Sequence, residues 1–230
     1  MIDLFALNGR QRLLDLASGS CTLLKRLRAR TTAMPNYVAA DMSFAMLRAA
    51  PDDGSRDVAR VQCDAVRLPF KDDCFDRVAC GFALTMFSSA PKAIAEVHRV
   101  LRPGGVVAFS SVSAARDVLW AWQDDLLCRH GVEVPRVETR RFRHAHDYVA
   151  ALSGRLSEVR VREYFAPLHF KDVDEWMRWC ASHGGRAFLQ DVPAGRRGAF
   201  LQDLAVALER YSSRTGIHLV LPALIAVARK

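Results

Sequence analysis

Three aspartates occupy positions from which a carboxylate could bind a ligand. Asp15, Asp41 and Asp64 each lie near or just beyond the carboxyl end of a short apolar run. In doubly wound α/β folds, ligands bind outside the carboxyl ends of the parallel strands. Asp15 could pair there with a cationic or hydroxylated ligand, and Asp41 could accept both hydroxyls of a ribose. The spacing predicts a ligand crevice with acidic side chains along one rim.

A turn of small residues follows the first apolar run. Residues 17–20 (ASGS) separate the run Leu13–Leu16 from a helical pattern. Small side chains allow a ligand to approach the backbone, because a Cβ would hold it away. An ordinary strand-to-helix turn without a ligand would have the same pattern. A dinucleotide site fits less well, because larger residues, Cys21 and Leu24 among them, stand where its later glycines are needed.

Strand-like and helix-like patterns alternate through the first half of the chain, and they must position these residues. Short apolar runs predict five strands, namely Leu13–Leu16, Asn36–Ala40, Val58–Gln62, Arg77–Gly81 and Val106–Ser110. Ser88 or Ser89 is expected to cap the helix before the fifth strand, and Pro103-Gly104-Gly105 is expected to end it with a left-handed glycine. This alternation is typical of a parallel sheet with helices on both faces.

The residues around the aspartates resemble the motifs of class I S-adenosylmethionine-dependent methyltransferases of the small-molecule group, which includes quinone C-methyltransferases and natural-product enzymes. Four stretches carry the likeness: 15–21 (DLASGSC, for D/E-x-G-x-G-x-G), 41–47 (DMSFAML, for D-x-S-x-x-M-L), 64–76 (DAVRLPFKDDCFD, for D-A-x-x-L-P-F-x-D-x-x-F-D) and 101–105 (LRPGG, for L-x-P-G-G). Ala17 and Cys21 replace the outer glycines of the first motif, which puts the strength of cofactor binding in question.

The resemblance implies S-adenosylmethionine as cofactor and a set of residues that contact it. In this family, the counterpart of Met42 packs on the adenine, and that of Asp64 accepts from the adenine amino group, with the amide of Ala65 near the ring. The implied cofactor residues are Asp15, Ala17, Ser18, Gly19, Asp41, Met42, Asp64, Ala65 and Gly81. Phe82 and Met86 are implied on the substrate side, beside the transferred methyl group.

The resemblance also implies the architecture. We expect an α/β, Rossmann-like, doubly wound sheet of seven strands, mostly parallel, with an antiparallel last strand. The chain is expected to be a single methyltransferase domain over 1–230. Its cofactor-binding half would cover 11–111, and its substrate-side half 112–230, with a helical insertion at about 165–212.

The second half carries weaker patterns. Helices are expected at Asp117–Leu127 and His146–Leu152, strands at Ser157–Tyr164 and Ile217–Ala228, and inserted helices at Val173–Ser182 and Arg196–Tyr211. Because a parallel strand ends on the ligand side, we expect the insertion to begin on that side and Phe165–Phe188 to form a substrate lid.

Four residues of this predicted lid have side chains that suit a substrate site. Trp176 and Trp179 are three residues apart on one helical pattern, so they either face the substrate or pack into the core. His169 and His183 are weak candidates for a general base, which is needed only if the acceptor must lose a proton. No residue is singled out by the sequence as the catalytic base.

Composition narrows the class of protein. The chain has 230 residues and a net charge of +8, and its apolar runs are shorter than the ~20 residues of a membrane span. Its start lacks the features of a secretory signal, and its six cysteines form no CxxC pair or zinc-type spacing, so no metal is expected. These features predict a cytoplasmic protein, and the resemblance implies a small molecule as its substrate.

Two other functions remain open. A nucleic-acid methyltransferase fits the charge, but residues 80–83 (CGFA) replace the (N/D/S)-P-P-(Y/F) motif of the base N-methyltransferases, and no Pro-Cys dipeptide occurs. Nucleic acid is therefore not the expected partner. An S-adenosylmethionine-binding protein of the same fold that does not methylate, such as a cyclase, or that has lost binding, remains the main alternative.

Overall fold

The strands form one mixed sheet. The computed structural model describes residues 2–5, 7, 9–30, 34, 36–49, 58–134, 141–182 and 190–230. Its strands are β1 (Arg12–Leu16), β2 (Asn36–Asp41), β3 (Val58–Gln62), β4 (Phe75–Gly81), β5 (Leu101–Val112), β6 (Ser157–Phe170), β7 (Ser212–Ser213) and β8 (Gly216–Arg229). The sheet order is β3-β2-β1-β4-β5-β8-β6, and β7 pairs with β8.

The strand directions confirm the predicted fold class. β1 pairs in parallel with β2 and β4, and the β2–β3 and β4–β5 pairs are also parallel. β8 runs antiparallel to β5: the Gly104 amide donates to the Lys230 carbonyl at 2.9 Å, and the Ser113 amide donates to the Pro222 carbonyl at 3.0 Å. The seven strands of the main path match the expected count, with the short β7 as an addition.

The helices lie close to the predicted positions, except that the single helix predicted at Asp117–Leu127 is divided into two at Trp120. They are α1 (Thr22–Arg28), α2 (Phe44–Ala49), α3 (Ala90–Val100), α4 (Arg116–Leu119), α5 (Ala121–Arg129), α6 (Ala145–Leu152), α7 (Val173–Ser182) and α8 (Arg197–Glu209). Ser89 caps α3, because its side chain accepts from the Lys92 amide at 3.4 Å. Among the described residues, no helix combines the length and the apolar character needed to cross a membrane.

The chain divides into two compact units. The first comprises residues 1–112, 141–163 and 224–230, and the second comprises 113–140 and 164–223. In the first unit, β1 is covered on both faces: Leu14 and Leu16 pack in one apolar cluster with α3, whereas Leu13 packs in another with α1. A strand buried on both faces is typical of a central parallel strand.

The core of the second unit is aromatic. Trp122 lies 5.7 Å from Tyr211 and 6.1 Å from Trp176, measured between ring centroids. Phe200, Leu204 and Leu208 of α8 are buried in the same cluster. A groove of about 730 Å³ runs along this unit, and Trp122, Arg210 and Tyr211 line part of it.

Two predicted strand boundaries were wrong. β6 continues to Phe170, six residues beyond the predicted end at Tyr164, so the start of the predicted lid segment is strand. β5 begins at Leu101 rather than at Val106. The polar and small residues 102–105 hid the start of β5, whereas β6 continues through Pro167, a residue that is uncommon inside strands.

The Leu101–Gly105 stretch is a bulge within β5, not a glycine-capped helix end. Helix α3 stops at Val100, and Leu101 is already extended. Five residues then span the distance that two residues cover on β4, because Leu101 faces Phe75 whereas Val106 faces Arg77. Gly104 has a φ of +75°, inside the bulge and four residues past the helix. The predicted left-handed glycine is present, but it shapes the strand.

We expect Gly105→Ala to lower the free energy of unfolding by about 1–3 kcal/mol, the usual cost of overpacking. A Cβ there would lie 2.8 Å from the Arg102 carbonyl oxygen and 2.9 Å from Leu101 Cδ2. Gly154→Ala is the matched control, because a Cβ at Gly154 meets nothing within 4 Å. Chemical denaturation measures both, and equal effects of the two changes would contradict the packing of the bulge.

Candidate cofactor-binding site

The turn after β1 has the backbone conformation that glycines favour, although only one of the three glycines of the D/E-x-G-x-G-x-G motif is present. Ala17, Gly19 and Cys21 have φ values of +56°, +52° and +58°. This left-handed region costs a non-glycine residue roughly 1–2 kcal/mol. The Ser18 amide donates to the Ala40 carbonyl at 3.0 Å, which ties the turn to β2. Ala17 and Cys21 therefore occupy the conformation that the missing glycines of the motif would favour, and strain is held at the candidate site.

Asp41 joins the end of β2 to this turn. Its Oδ2 accepts from the Gly19 amide at 2.8 Å, and its Oδ1 accepts from the Ser43 amide at 2.8 Å. The Asp41 carbonyl accepts from the Cys63 amide at 3.0 Å, so the start of the β3 connection is held to it as well. Each carboxylate oxygen has a second lone pair, which leaves acceptor capacity for ligand hydroxyls.

Asp64 shapes the turn that follows β3. Its Oδ1 accepts from the Val66 amide at 3.1 Å, and its carbonyl accepts from the Arg67 amide at 3.0 Å. The side chain is exposed, whereas the neighbouring Ala65 is 6% exposed. The turn-forming role expected of an aspartate at this position is thus present. Recognition of an adenine by Asp64 and Ala65 stays a prediction.

Asp15 lies in the interior beneath the turn. It is 4% exposed, and the hydroxyl of Tyr37, itself 2% exposed, donates to its Oδ2. Burial raises the pKa of Asp15 to about 7; the Tyr37 hydrogen bond opposes the rise, and the charge of Asp41 adds to it. Sequence reasoning missed Tyr37, although a tyrosine in a buried strand needs a hydrogen-bond partner for its hydroxyl and could have been noticed for that reason.

Exposed apolar side chains follow the carboxyl ends of β2 and β4. Met42 is 71% exposed, Phe82 47% and Met86 81%. Phe82 has a φ of +56°, and its amide donates to both the carbonyl (3.0 Å) and the Oγ (3.1 Å) of Ser110. Exposed apolar patches mark surfaces that bind something. These side chains, which follow Asp41 and Gly81, suit an apolar ligand.

The predicted substrate-side residues of the second unit lie in its core and on β6. Trp176 is 1% exposed, and Trp179 is half-buried, 5.5 Å from Phe170 between ring centroids. His169 Nε2 lies 2.7 Å from the Thr215 carbonyl oxygen, so this nitrogen carries a proton. His183 lies outside the described residues. The proposed contacts of these residues with a substrate stay predictions.

The structure thus brings Asp15, Ala17, Ser18, Gly19 and Asp41 together at the carboxyl ends of β1 and β2, while Met42, Asp64, Ala65 and Gly81 follow or end the neighbouring strands. A parallel sheet with a small-residue turn and an acidic residue after its second strand defines a Rossmann-like protein of the nucleotide- or nucleoside-binding class.

Comparison with known proteins gives a likeness to one family. Residues 14–109, less than half of the chain, match the family model described as "Methyltransferase domain". Over this segment, the sequence is similar to that family.

Curated relatives are similar to part of the chain, and solved structures are similar to it in fold. The chain is 37% identical over 138 residues to the ubiquinone/menaquinone biosynthesis C-methyltransferase UbiE of Coxiella burnetii; the match covers 56% of this chain and 55% of that protein. The chain therefore spans about half the length of the curated relatives that it matches. It is similar in fold to YcgJ of Bacillus subtilis (TM-score 0.64, 22% identity, 100% and 96% of the chains). It is also similar in fold to the [4+2]-cyclase SpnF (TM-score 0.57, 22% identity, 99% and 79% of the chains).

We expect Ala17→Gly to stabilise the protein, by up to about 1 kcal/mol, because glycine removes the left-handed strain. Ala59→Gly is the matched control: Ala59 is an exposed residue of β3 without a positive φ, so glycine there should destabilise by about 0.5–1 kcal/mol. Denaturant titration measures both variants. Two changes of the same sign would contradict the strained turn.

We expect the stability of the wild type to depend on pH through Asp15. Its pKa rises from 3.8 to about 7 on folding, so between these values the folded chain keeps a proton that the unfolded chain releases. The contribution of Asp15 to the free energy of unfolding is then fully present below pH 4. It is lost as the pH rises to 7, by about 1.4 kcal/mol per pH unit and about 4 kcal/mol in all. Asp15→Asn removes this dependence.

The measurement is chemical denaturation of wild type and Asp15→Asn at pH 4, 6 and 8. The variant should have a free energy of unfolding close to that of the wild type at pH 4 and clearly above it at pH 8. A difference that does not change with pH would show that Asp15 ionises normally in the folded protein.

Proposed function

We propose that this chain transfers the methyl group of S-adenosylmethionine to a small organic acceptor. The observation that carries the proposal is the bond from the Gly19 amide to Asp41, which holds the strained turn after β1 against the acidic end of β2. The methyltransferase-domain match over residues 14–109 supports it, because both halves of this contact lie within the match.

The residues present fit this cofactor. Gly19 adds no Cβ to the turn, and its φ of +52° is a conformation that side chains rarely adopt, so glycine suits this position. Asp41 retains acceptor capacity for the ribose hydroxyls, Met42 offers an exposed apolar surface for the adenine, and the exposed Asp64 suits its amino group. When bound, S-adenosylmethionine supplies a methyl group that is already activated on a sulfonium.

The work left to the protein is chiefly orientation. Holding two reactants in line can contribute roughly 7–11 kcal/mol in favourable cases. The doubly hydrogen-bonded amide of Phe82 fixes the backbone at the end of β4, where we place the acceptor. In this proposal, Phe82 and Met86 cover the acceptor and keep water from the methyl group.

We propose further that the acceptor is a flat, apolar ring methylated at carbon, as in quinone precursors. The large exposed fractions of Phe82 and Met86 support this, because such side chains pack on ring faces and offer no charged group. The printed name of the UbiE relative describes a C-methyltransferase of quinone biosynthesis. In the second unit, contacts of Trp176 and Trp179 with the acceptor stay predictions.

A general base is needed if a carbon acceptor must lose a proton after methylation. His169 is a candidate, since its Nε2 proton is directed at Thr215 and Nδ1 is therefore the nitrogen that can accept.

The cytoplasmic location predicted from the sequence is retained as part of the proposal. The fold shared with the [4+2]-cyclase SpnF keeps a non-methylating reaction as the second candidate.

We expect Asp41→Asn and Asp64→Asn to weaken binding of S-adenosylmethionine by about 10- to 100-fold, the usual effect of losing a hydrogen bond to a charged group. Asp174→Asn, an exposed aspartate of α7, is the control and should bind like the wild type. Isothermal titration calorimetry measures all four proteins. Failure of the wild type to bind would reject the proposed function, whereas unchanged binding by both site variants would reject the placement of the site.

The protein is incubated with methyl-deuterated S-adenosylmethionine and a demethylated quinone precursor. We expect the label to appear on a carbon atom of the precursor. Mass spectrometry with fragmentation locates the label, and heat-denatured wild type serves as the inactive control. Binding of the cofactor without label transfer to carbon-, oxygen- or nitrogen-acceptor panels would favour the non-methylating alternative. Label on oxygen or nitrogen alone would overturn carbon as the acceptor atom.

A further inference from the structure

A buried pair of side chains lies directly beneath the proposed cofactor turn. The Tyr37 hydroxyl donates to Asp15 Oδ2, and both residues are almost fully buried. In the sheet register, Tyr37 faces Leu13 and Asp15 faces Ala39, so the phenol reaches two residues along the strands towards their carboxyl ends. The contact is therefore built across two strands and is not a local turn.

Small side chains make room for this contact. Ala39 of β2 and Ala79 of β4 flank Asp15 in the register, and Ala108 of β5 faces Ala79; all three are fully buried. Larger residues at these positions would occupy the space that the phenol and the carboxyl group share. The row of alanines thus places small side chains beside the buried contact of Tyr37 with Asp15.

The groups around Asp15 leave its negative charge poorly compensated. Asp41 of β2 adds a second negative charge. The buried thiol of Cys21, just before α1, lies on the same face of the sheet as Asp15, and the buried thiol of Cys80 lies on the opposite face of β4. Burial raises the pKa of both thiols, so they are neutral. The Tyr37 hydroxyl is the neighbour that favours the charged form, because it donates to the carboxylate.

We propose that Tyr37 is a positioning residue that holds the Asp15 carboxylate for the cationic amino-acid end of the cofactor, and that binding of this end releases the proton of Asp15. The inference rests on the proposed function. In the free protein, the Asp15 carboxyl group keeps its proton at slightly acid pH. When an ammonium group arrives at the turn, the proton leaves to solvent, and the carboxylate then has the ammonium on one side and Tyr37 on the other.

Binding of the ammonium group and release of the Asp15 proton are linked by electrostatics. An unpaired charge in an apolar interior is strongly unfavourable, and a nearby opposite charge reverses the preference. Cofactor affinity should therefore rise with pH up to about 7, where Asp15 ionises unaided. From pH 5.5 to pH 7.5 the expected gain is about 20-fold, because the ionised fraction grows tenfold per pH unit below the pKa. The α-amino group of the ligand stays mostly protonated in this range.

Calorimetry in two buffers of different ionisation enthalpy tests the proposal by counting protons. At pH 6.5, wild type should release close to one proton on binding S-adenosylmethionine, and Asp15→Asn should release none and bind with little pH dependence. Adenosine, which lacks the ammonium group, is the control ligand and should release none from the wild type. Proton release with adenosine equal to that with the cofactor would overturn the assignment to the ammonium group.

Tyr37→Phe separates positioning from packing. Loss of the donor disfavours the carboxylate, so the variant should bind about tenfold more weakly than wild type at pH 5.5, with a smaller deficit at pH 7.5. Tyr148→Phe, which removes the hydroxyl of another fully buried tyrosine, is the matched control and should alter binding equally at all pH values. A deficit in Tyr37→Phe that does not vary with pH would overturn the positioning role.

Infrared spectroscopy gives a readout that needs neither a folded Tyr37 variant nor a ligand. The free wild type should show a carboxylic-acid carbonyl band that disappears around pH 7 and is missing in Asp15→Asn; its absence would overturn the proposal. If the cofactor fails to bind at any pH, the proposed function fails as well. If it binds with the same affinity from pH 5.5 to 7.5 and without proton release, only the present inference fails.

Discussion

Burial of β1 on both faces is the constraint on which the rest of the structure depends. Leu14 and Leu16 contact one apolar cluster and Leu13 the other, so the strand can lie only in the middle of the sheet. Alternation along the strand then directs Asp15 to the same face as Leu13, into the interior. The turn that follows must leave the sheet within a few residues, and it does so through three left-handed positions. Burial of β1 therefore accounts both for the buried Asp15 and for the strained turn.

The strands and helices of the first unit could be predicted from local pattern because each apolar run is short and bounded by breakers. β3 spans Val58–Gln62, as predicted, and the N-cap Ser89 was found from its place before Pro91. The bulge of β5 could not be predicted, because Leu101–Gly105 has the composition of a helix end and only pairing with β4 makes it a strand. The end of β6 was missed for another reason: Pro167 lies within the strand, and proline is uncommon inside strands.

The site shows the same division between local and distant information. Asp41 and Asp64 were predicted because an acidic residue after a strand is visible in the sequence, and Asp41 contacts the turn after β1. The protonation state of Asp15 was not visible, because it depends first on burial and then on Tyr37, which lies 22 residues away along the chain. Ala17 and Cys21 put the strength of cofactor binding in question, yet hydrogen bonds to β2 hold the backbone in the conformation that glycines favour.

The placement of β8 has a practical consequence for anyone who shortens the protein. The family match ends at residue 109, within β5, but β5 has β8 as its other neighbour, and β8 comes from the last residues of the chain. A fragment cut at the end of the match would keep Asp15, Asp41 and Asp64 and lose this neighbour. The long edge of β5 would then present unpaired amides and carbonyls to solvent, which is the kind of surface on which chains add to one another and aggregate.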